Sequence, residues 1–269
     1  MQVPCGQCIG CRLERSRQWA VRCQHEAALW EDNCFITLTY RPEDLPEDLS
    51  VNVRHFQLFM KRLRRSVDHK IRFFHCGEYG EKNGRPHYHA ILFNHDFEDK
   101  KLWKVVNGNR LYTSESLERH WRLGFCSVGA ASFQSSAYVA RYLMKKIVGA
   151  ASARHYEWVD PETGQIHQRS PEYVTMSRRP GIGSAWIERF GPSDVWPGDF
   201  VVVDGRKMRP PKAYFRKLES DNPHRHGEIQ RQRQEINRLH RDNQTPERLA
   251  VREKVQAARL SQLKRGEVD

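Results

Sequence analysis

Residues 71–94 read IRFFHCGEYGEKNGRPHYHAILFN, and the fold turns on this stretch. Two runs rich in aromatic and aliphatic side chains, 71–80 and 86–94, flank a polar segment containing Asn83-Gly84, a dipeptide favoured in two-residue type I′ turns. The pattern predicts an antiparallel hairpin. Side chains two apart on a strand project from the same face, so His87 and His89 aim both imidazoles in one direction. A turn centred on Asn83-Gly84 pairs positions whose numbers sum to 167, which sets Glu78 opposite His89 on that same face. Glu81 is a competing carboxylate, but this register leaves it in the turn.

Two imidazoles and one carboxylate, with coordination positions left over, suit a hard or borderline divalent ion such as Mg²⁺ or Mn²⁺, whose other ligands are water or phosphate oxygens. A pair of histidines on a strand is also what a plain solvated face would carry. Glu78 shifts the reading to a metal centre, with His87, His89 and Glu78 as its ligands.

Upstream, CFITLTY (34–40) alternates Phe35, Thr37 and Thr39 against Ile36, Leu38 and Tyr40, the period-two pattern of a strand. Leu13, Ala20, Cys23, Ala27 and Trp30 recur at helical steps over 11–31. Val53, Phe56, Phe59, Met60, Leu63 and Val67 form a second apolar helical stripe, and Arg54, Lys61, Arg62, Arg64 and Arg65 fill its remaining faces. Downstream, a short helix is expected near 114–122, a strand near 124–129, and a helix over 134–148 (QSSAYVARYLMKKIV) capped by Ser135 or Ser136. This order describes an α+β fold with a central antiparallel sheet and flanking helices. No topology is assigned over 150–204.

On the last of these helices Tyr138 and Tyr142 lie four residues apart, hence on one face, where either phenol can approach the same phosphate. Lys145 and Lys146 follow within a turn, and a cation there would offset charge developing on phosphate oxygens. Paired tyrosines on a helix are ordinarily core packing. They gain meaning from the metal triad, because a phenol of pKa about 10 needs an activating partner to act as a nucleophile near neutrality.

Lys and Arg outnumber Asp and Glu by 45 to 33 in 269 residues, a net charge of +12 that favours a polyanionic partner, nucleic acid first. From Gly205 onward 17 basic residues face 9 acidic ones, so 205–269 reads as a basic, helical or partly disordered tail, an appendage and not a core. No apolar run long enough to span a bilayer occurs, and the N-terminus lacks a secretory pattern, so a soluble intracellular protein is expected. Seven cysteines, three of them at Cys5, Cys8 and Cys11, argue against a secreted disulfide framework. That C-x-x-C-x-x-C spacing suits zinc or an iron–sulfur cluster once a fourth ligand is found. Cys23 sits too far along the helix, about 18 Å at 1.5 Å per residue, which leaves Cys76 or a histidine. Residues 1–32 thus form a cysteine-bearing helical segment, and 33–204 the main domain with its extension.

An apolar strand with threonines (FITLTY, 35–40), a histidine pair (RPHYHAILF, 85–93) and a tyrosine helix (YVARYLMKK, 138–146) follow the order found in HUH endonucleases. The wider pattern, with VPCGQCIGCRLERSRQWAVRCQHE (3–26), CGEYG (76–80) and RRPGIG (178–183), resembles the microvirus (gokushovirus-type) replication initiators along nearly the whole chain. The resemblance implies an RRM-like or ferredoxin-like sheet, with the histidine pair on a central strand and the tyrosines on a helix nearby. It also implies rolling-circle replication. His87, His89 and Glu78 would bind the metal, and Tyr138 and Tyr142 would alternate as nucleophiles through a 5′-phosphotyrosine link. Tyr142-x-x-Lys145 also fits the Y-x-x-K form of single-tyrosine relatives, so the order of attack stays open.

The implied partners are single-stranded DNA at a replication origin, host helicase and host polymerase, in the cytoplasm of a bacterial host. No phosphate-binding loop of the G-x-x-x-x-G-K-[ST] type supplies a motor of its own. Lys146, Arg141, Arg62 and Arg65 are candidate DNA contacts, and Tyr40, Tyr79 and Trp186 candidate aromatic ones, with core packing the competing fate of Trp186. Two rivals share much of this pattern: a non-enzymatic nucleic-acid-binding protein with an N-terminal zinc module, and a related HUH relaxase or transposase.

Overall fold

The computed structural model describes residues 5–262 apart from 7, 81–83, 142–150 and 161–162, with the backbone alone described at 151, 153 and 260. The chain runs α1 (Ile9–Ala27), β1 (Asn33–Thr39), α2 (Val53–Arg65), β2 (Arg72–Tyr79), β3 (Pro86–Phe93), β4 (Lys101–Val106), β5 (Asn109–Thr113), α3 (Glu115–Trp121), β6 (Cys126–Ala130) and α4 (Phe133–Arg141). Then come α5 (Ala151–His155), β7 (Glu157–Val159), β8 (Ile166–Gln168), β9 (Tyr173–Met176), α6 (Ser184–Phe190), β10 (Val201–Val203), β11 (Arg206–Met208), α7 (Lys212–Asp221), α8 (Pro223–Leu239) and α9 (Pro246–Ser261).

The fold is α+β, as expected. Its central element, among the described residues, is a seven-stranded antiparallel sheet in the order β4-β5-β6-β1-β3-β2-β9. Strict alternation divides the side chains of the three central strands between two cores. Ile36, Leu38, Tyr88, Ala90 and Leu92 point to one face, where Phe56, Phe59, Met60 and Leu63 of α2 and Leu117 and Trp121 of α3 cover them. Phe35, Phe74, Cys76, Ile91 and Phe93 point to the other, beneath Cys23 of α1 and Val139 and Ala140 of α4. Each large apolar side chain buried in this way contributes roughly 1.5–3 kcal/mol.

Local chemistry fixes the ends of these elements. The Asn52 side chain accepts from the Arg54 amide at 2.9 Å and caps α2, while Ser114 accepts from Leu117 at 3.1 Å and caps α3. The β4–β5 hairpin turns through Asn107 and Gly108, both at positive φ (50° and 81°), the backbone of a tight two-residue turn. The sequence reading passed over this Asn-Gly pair and placed the tight turn at the other one. Between β2 and β3 the chain instead takes a longer loop, closed by the Gly80 amide donating to the Arg85 carbonyl at 2.9 Å.

Residues beyond 204 form more than an appendage. Tyr214 and Leu218 of α7 and Ile229 of α8 are buried with Val21, Ile187, Val195, Trp196, Val201 and Val203 in a third cluster. The few apolar residues of this charged region stand at helical spacing, so each turn buries one of them. No helix among the described residues is long and apolar enough to cross a membrane.

Candidate metal centre and tyrosine helix

Three adjacent strands supply the site. β3 lies between β1 and β2, and the face of β3 that carries His87 and His89 is continued by Thr37 of β1 and Glu78 of β2. The register differs from the one expected from a turn at Asn83-Gly84: Glu78 pairs with His87, and Cys76 with His89. The longer loop displaces the pairing by two positions, and a shift of two keeps every side chain on its face. Glu78 therefore still joins both histidines.

Glu78 Oε1 lies 2.8 Å from His89 Nε2 and 3.2 Å from His87 Nε2. One donor atom from each of the three residues falls within 4.8 Å of the other two, and all three residues are buried. The far ring nitrogens are held in place. His87 Nδ1 is 3.0 Å from the Arg85 carbonyl oxygen, which can only accept, so this nitrogen carries the proton and Nε2 of the neutral ring presents its lone pair inward. His89 Nδ1 meets the Thr37 hydroxyl at 3.0 Å, and the His89 ring stacks on Phe35 with centroids 5.5 Å apart. Ligand rings oriented through the opposite nitrogen are the usual construction of a metal centre. Burial raises the Glu78 carboxyl, but hydrogen bonds and charge from His87 and His89 outweigh it and hold it at about 2. The donor set of two imidazole nitrogens and one ionised carboxylate fits a borderline divalent cation with positions to spare.

The tyrosine helix sits directly over this centre. Tyr138 of α4 donates its hydroxyl to Glu78 Oε1 at 3.4 Å, and its ring meets His89 edge-on at 5.0 Å. Arg141 places its guanidinium 5.5 Å from the Tyr138 ring centroid. Val139 and Ala140, on the other side of the helix, are buried against the sheet and α1, which turns Tyr138 toward the strands. Tyr142, Lys145 and Lys146 lie outside the described residues.

Other sequence candidates fall elsewhere. Arg62 and Arg65 belong to α2, on the opposite face of the sheet, and Arg62 donates to the carbonyls of His120 and Trp121 at the end of α3. They do not share a surface with the triad. Tyr40 is buried, its hydroxyl 2.5 Å from that of Tyr88, and Tyr79 donates to the Ser170 carbonyl, so neither offers an open face to a base. Trp186 stacks on His25 at 3.5 Å, which is the core role. Cys5, Cys8 and Cys11 converge, whereas Cys23 and Cys76 are buried under the sheet.

Thr37, Phe35 and Arg85 are the site residues that sequence reasoning did not single out. Alternation in FITLTY already puts Phe35 and Thr37 opposite Ile36, Leu38 and Tyr40. Missing was the knowledge that β1 pairs with β3, which sets Thr37 beside His89.

Residues 33–147 match the family model of the ORF2-type replication-associated proteins. Replication-associated protein VP4 of Bdellovibrio phage phiMH2K is 34% identical over 220 residues, which cover 78% of this chain and 65% of the relative. Replication-associated protein ORF2 of Spiroplasma virus 4 is 30% identical over 240 residues, 81% of this chain and 68% of the relative. Replication-associated protein ORF4 of Chlamydia phage 1 is 36% identical over 155 residues, 54% of this chain and 39% of the relative. The chain thus spans about two thirds of the length of the first two relatives. No solved structure matches.

Proposed function

The chain belongs to the replication-associated protein family of these phages, as its microvirus-type sequence pattern implied, and from that premise we propose that it starts rolling-circle replication by nicking and rejoining single-stranded DNA. The observation that carries the reading is the Tyr138 hydroxyl directed at Glu78 Oε1, the same oxygen that faces both imidazoles. A nucleophile and a candidate cation site thereby converge on one point.

His87, His89 and Glu78 would hold Mg²⁺ or Mn²⁺, which when bound supplies Lewis-acid polarisation of the scissile phosphate. Tyr138 then attacks phosphorus in line: a bond forms between the phenolic oxygen and phosphorus, the bond to the 3′-oxygen breaks, and the phenolic proton ends on that oxygen. The products are a 5′-phosphotyrosine and a free 3′-hydroxyl able to prime synthesis. Arg141, beside the Tyr138 ring, favours the ionising phenol and the phosphate charge. Tyr142 would accept the strand in the second transfer, with Lys145 as a further cation; both roles rest on the sequence. Lys146 and the basic tail would add salt-sensitive backbone contacts. Unwinding and synthesis would fall to a host helicase and polymerase in the bacterial cell.

The test is covalent capture. Incubated with single-stranded fragments of a cognate phage genome and Mn²⁺, the full chain should form a DNA adduct that survives denaturing electrophoresis and disappears with EDTA. Tyr138→Phe combined with Tyr142→Phe should abolish it. Adducts that persist in the double variant reject the assignment, and binding with no adduct from the wild-type chain favours the non-enzymatic rival.

A further inference from the structure

The N-terminal cysteines form a second cluster of metal-ligand type, away from the triad and independent of the nicking reading. The Sγ atoms of Cys5, Cys8 and Cys11 all lie within 4.8 Å of one another, with Cys5 and Cys11 4.0 Å apart. The Cys8 amide donates to Cys5 Sγ at 3.2 Å, the amide-to-sulfur bond that supports a thiolate. Gly6 makes the tight bend possible at φ +77°, a conformation costly to other residues, and Arg15 reaches back from α1 to its carbonyl at 3.4 Å. Cys8 stands at the N-cap of α1 with no side-chain cap bond, so the thiols sit where the helix dipole favours negative charge.

The spacing discriminates between metals. Tetrahedral zinc with bonds of about 2.3 Å sets its sulfurs about 3.8 Å apart, close to what the thiols already show. A four-iron cluster attaches each thiolate to a different iron and spreads the sulfurs wider. We infer that Cys5, Cys8 and Cys11 bind one zinc ion as thiolates, with a fourth position open on the solvent side, where Cys5 and Cys8 are exposed. Among the described residues no other Cys, His, Asp or Glu joins the cluster.

The ion would pin the chain ahead of α1 to its first turn. The same helix supports the tyrosine helix: Ser16 donates to the carbonyl of Ala137, next to Tyr138, at 3.2 Å. Zinc here acts through position and takes no part in chemistry.

Full-length chain purified anaerobically with zinc should contain one zinc per chain by elemental analysis. A mercurial thiol reagent should release it, and cobalt in its place should give the charge-transfer absorption of thiolate ligands. The Cys5→Ser, Cys8→Ser, Cys11→Ser variant should lose the zinc to near zero, and His89→Ala should retain it, which separates this site from the triad. Zinc retained by the triple variant, iron with inorganic sulfide, or a metal-free chain with a Cys5–Cys11 disulfide would each overturn the proposal. The cobalt spectrum is read on the wild-type chain, so it decides the matter even if the triple variant does not fold.

Discussion

Thr37 shows how one hydroxyl can matter to a site it does not complete. Its oxygen is 3.0 Å from His89 Nδ1, the nitrogen that must carry the proton if Nε2 is to offer a lone pair to a cation. Thr37→Val keeps the shape and removes the acceptor, leaving a buried N–H unsatisfied. Mn²⁺ affinity, read by calorimetry, should fall about 10- to 100-fold, the usual cost of losing such a partner. An unchanged affinity would show that Phe35 stacking alone orients the ring. Single residues of this kind are hard to see in sequence, since threonine in a strand is ordinarily a β-former and nothing more. His87, His89 and Glu78 were legible because their spacing is itself geometry.

Among the elements, the two hairpins show what local chemistry can specify. Both carry Asn-Gly, yet the tight turn forms at Asn107-Gly108, and β2–β3 uses a longer loop. Gly108 has open space where a β-carbon would stand, so Gly108→Val isolates the backbone cost of φ +81°. The change should lower stability by about 1–3 kcal/mol in chemical denaturation and leave Mn²⁺ binding as it was, because β4 and β5 lie at the far edge of the sheet from the triad. A loss of metal affinity would mean that the edge hairpin is coupled to the centre. Helices were read from apolar periodicity with ends within a few residues. The strands of the 150–204 region were not, because β9 has four residues and takes its place only by pairing with β2.

Over the whole molecule, a buried ion pair joins segments far apart in sequence. Glu26 of α1 lies 2.5 Å from Arg72 of β2 and accepts from the Gly183 amide at 2.7 Å, while Arg72 donates to the Pro180 carbonyl at 2.8 Å. The RRPGIG segment, read at first only as a family signature, thus supplies backbone partners to this pair. Glu26→Ala strands a buried guanidinium and should cost about 3–5 kcal/mol. Replacing Glu26 and Arg72 together by Met should cost less than the single change, because no charge is then left alone. Equal costs in denaturant unfolding would refute a structural role for the pair.

The sequence by itself determined the α+β class, the helical stripes, the strand alternation and the shared face of His87 and His89, because each follows from periods of two or 3.6 residues set by backbone geometry. It also held Glu78 on the correct face despite the displaced register, since a shift of two conserves sides. Only the tertiary structure decided that β1 lies against β3 with Thr37 beside His89, that α2 and its arginines occupy the opposite face, and that Tyr214, Leu218 and Ile229 enter a core. Pairing partners, sheet order and which helix covers which face depend on contacts between residues tens to hundreds apart, and no local period encodes those.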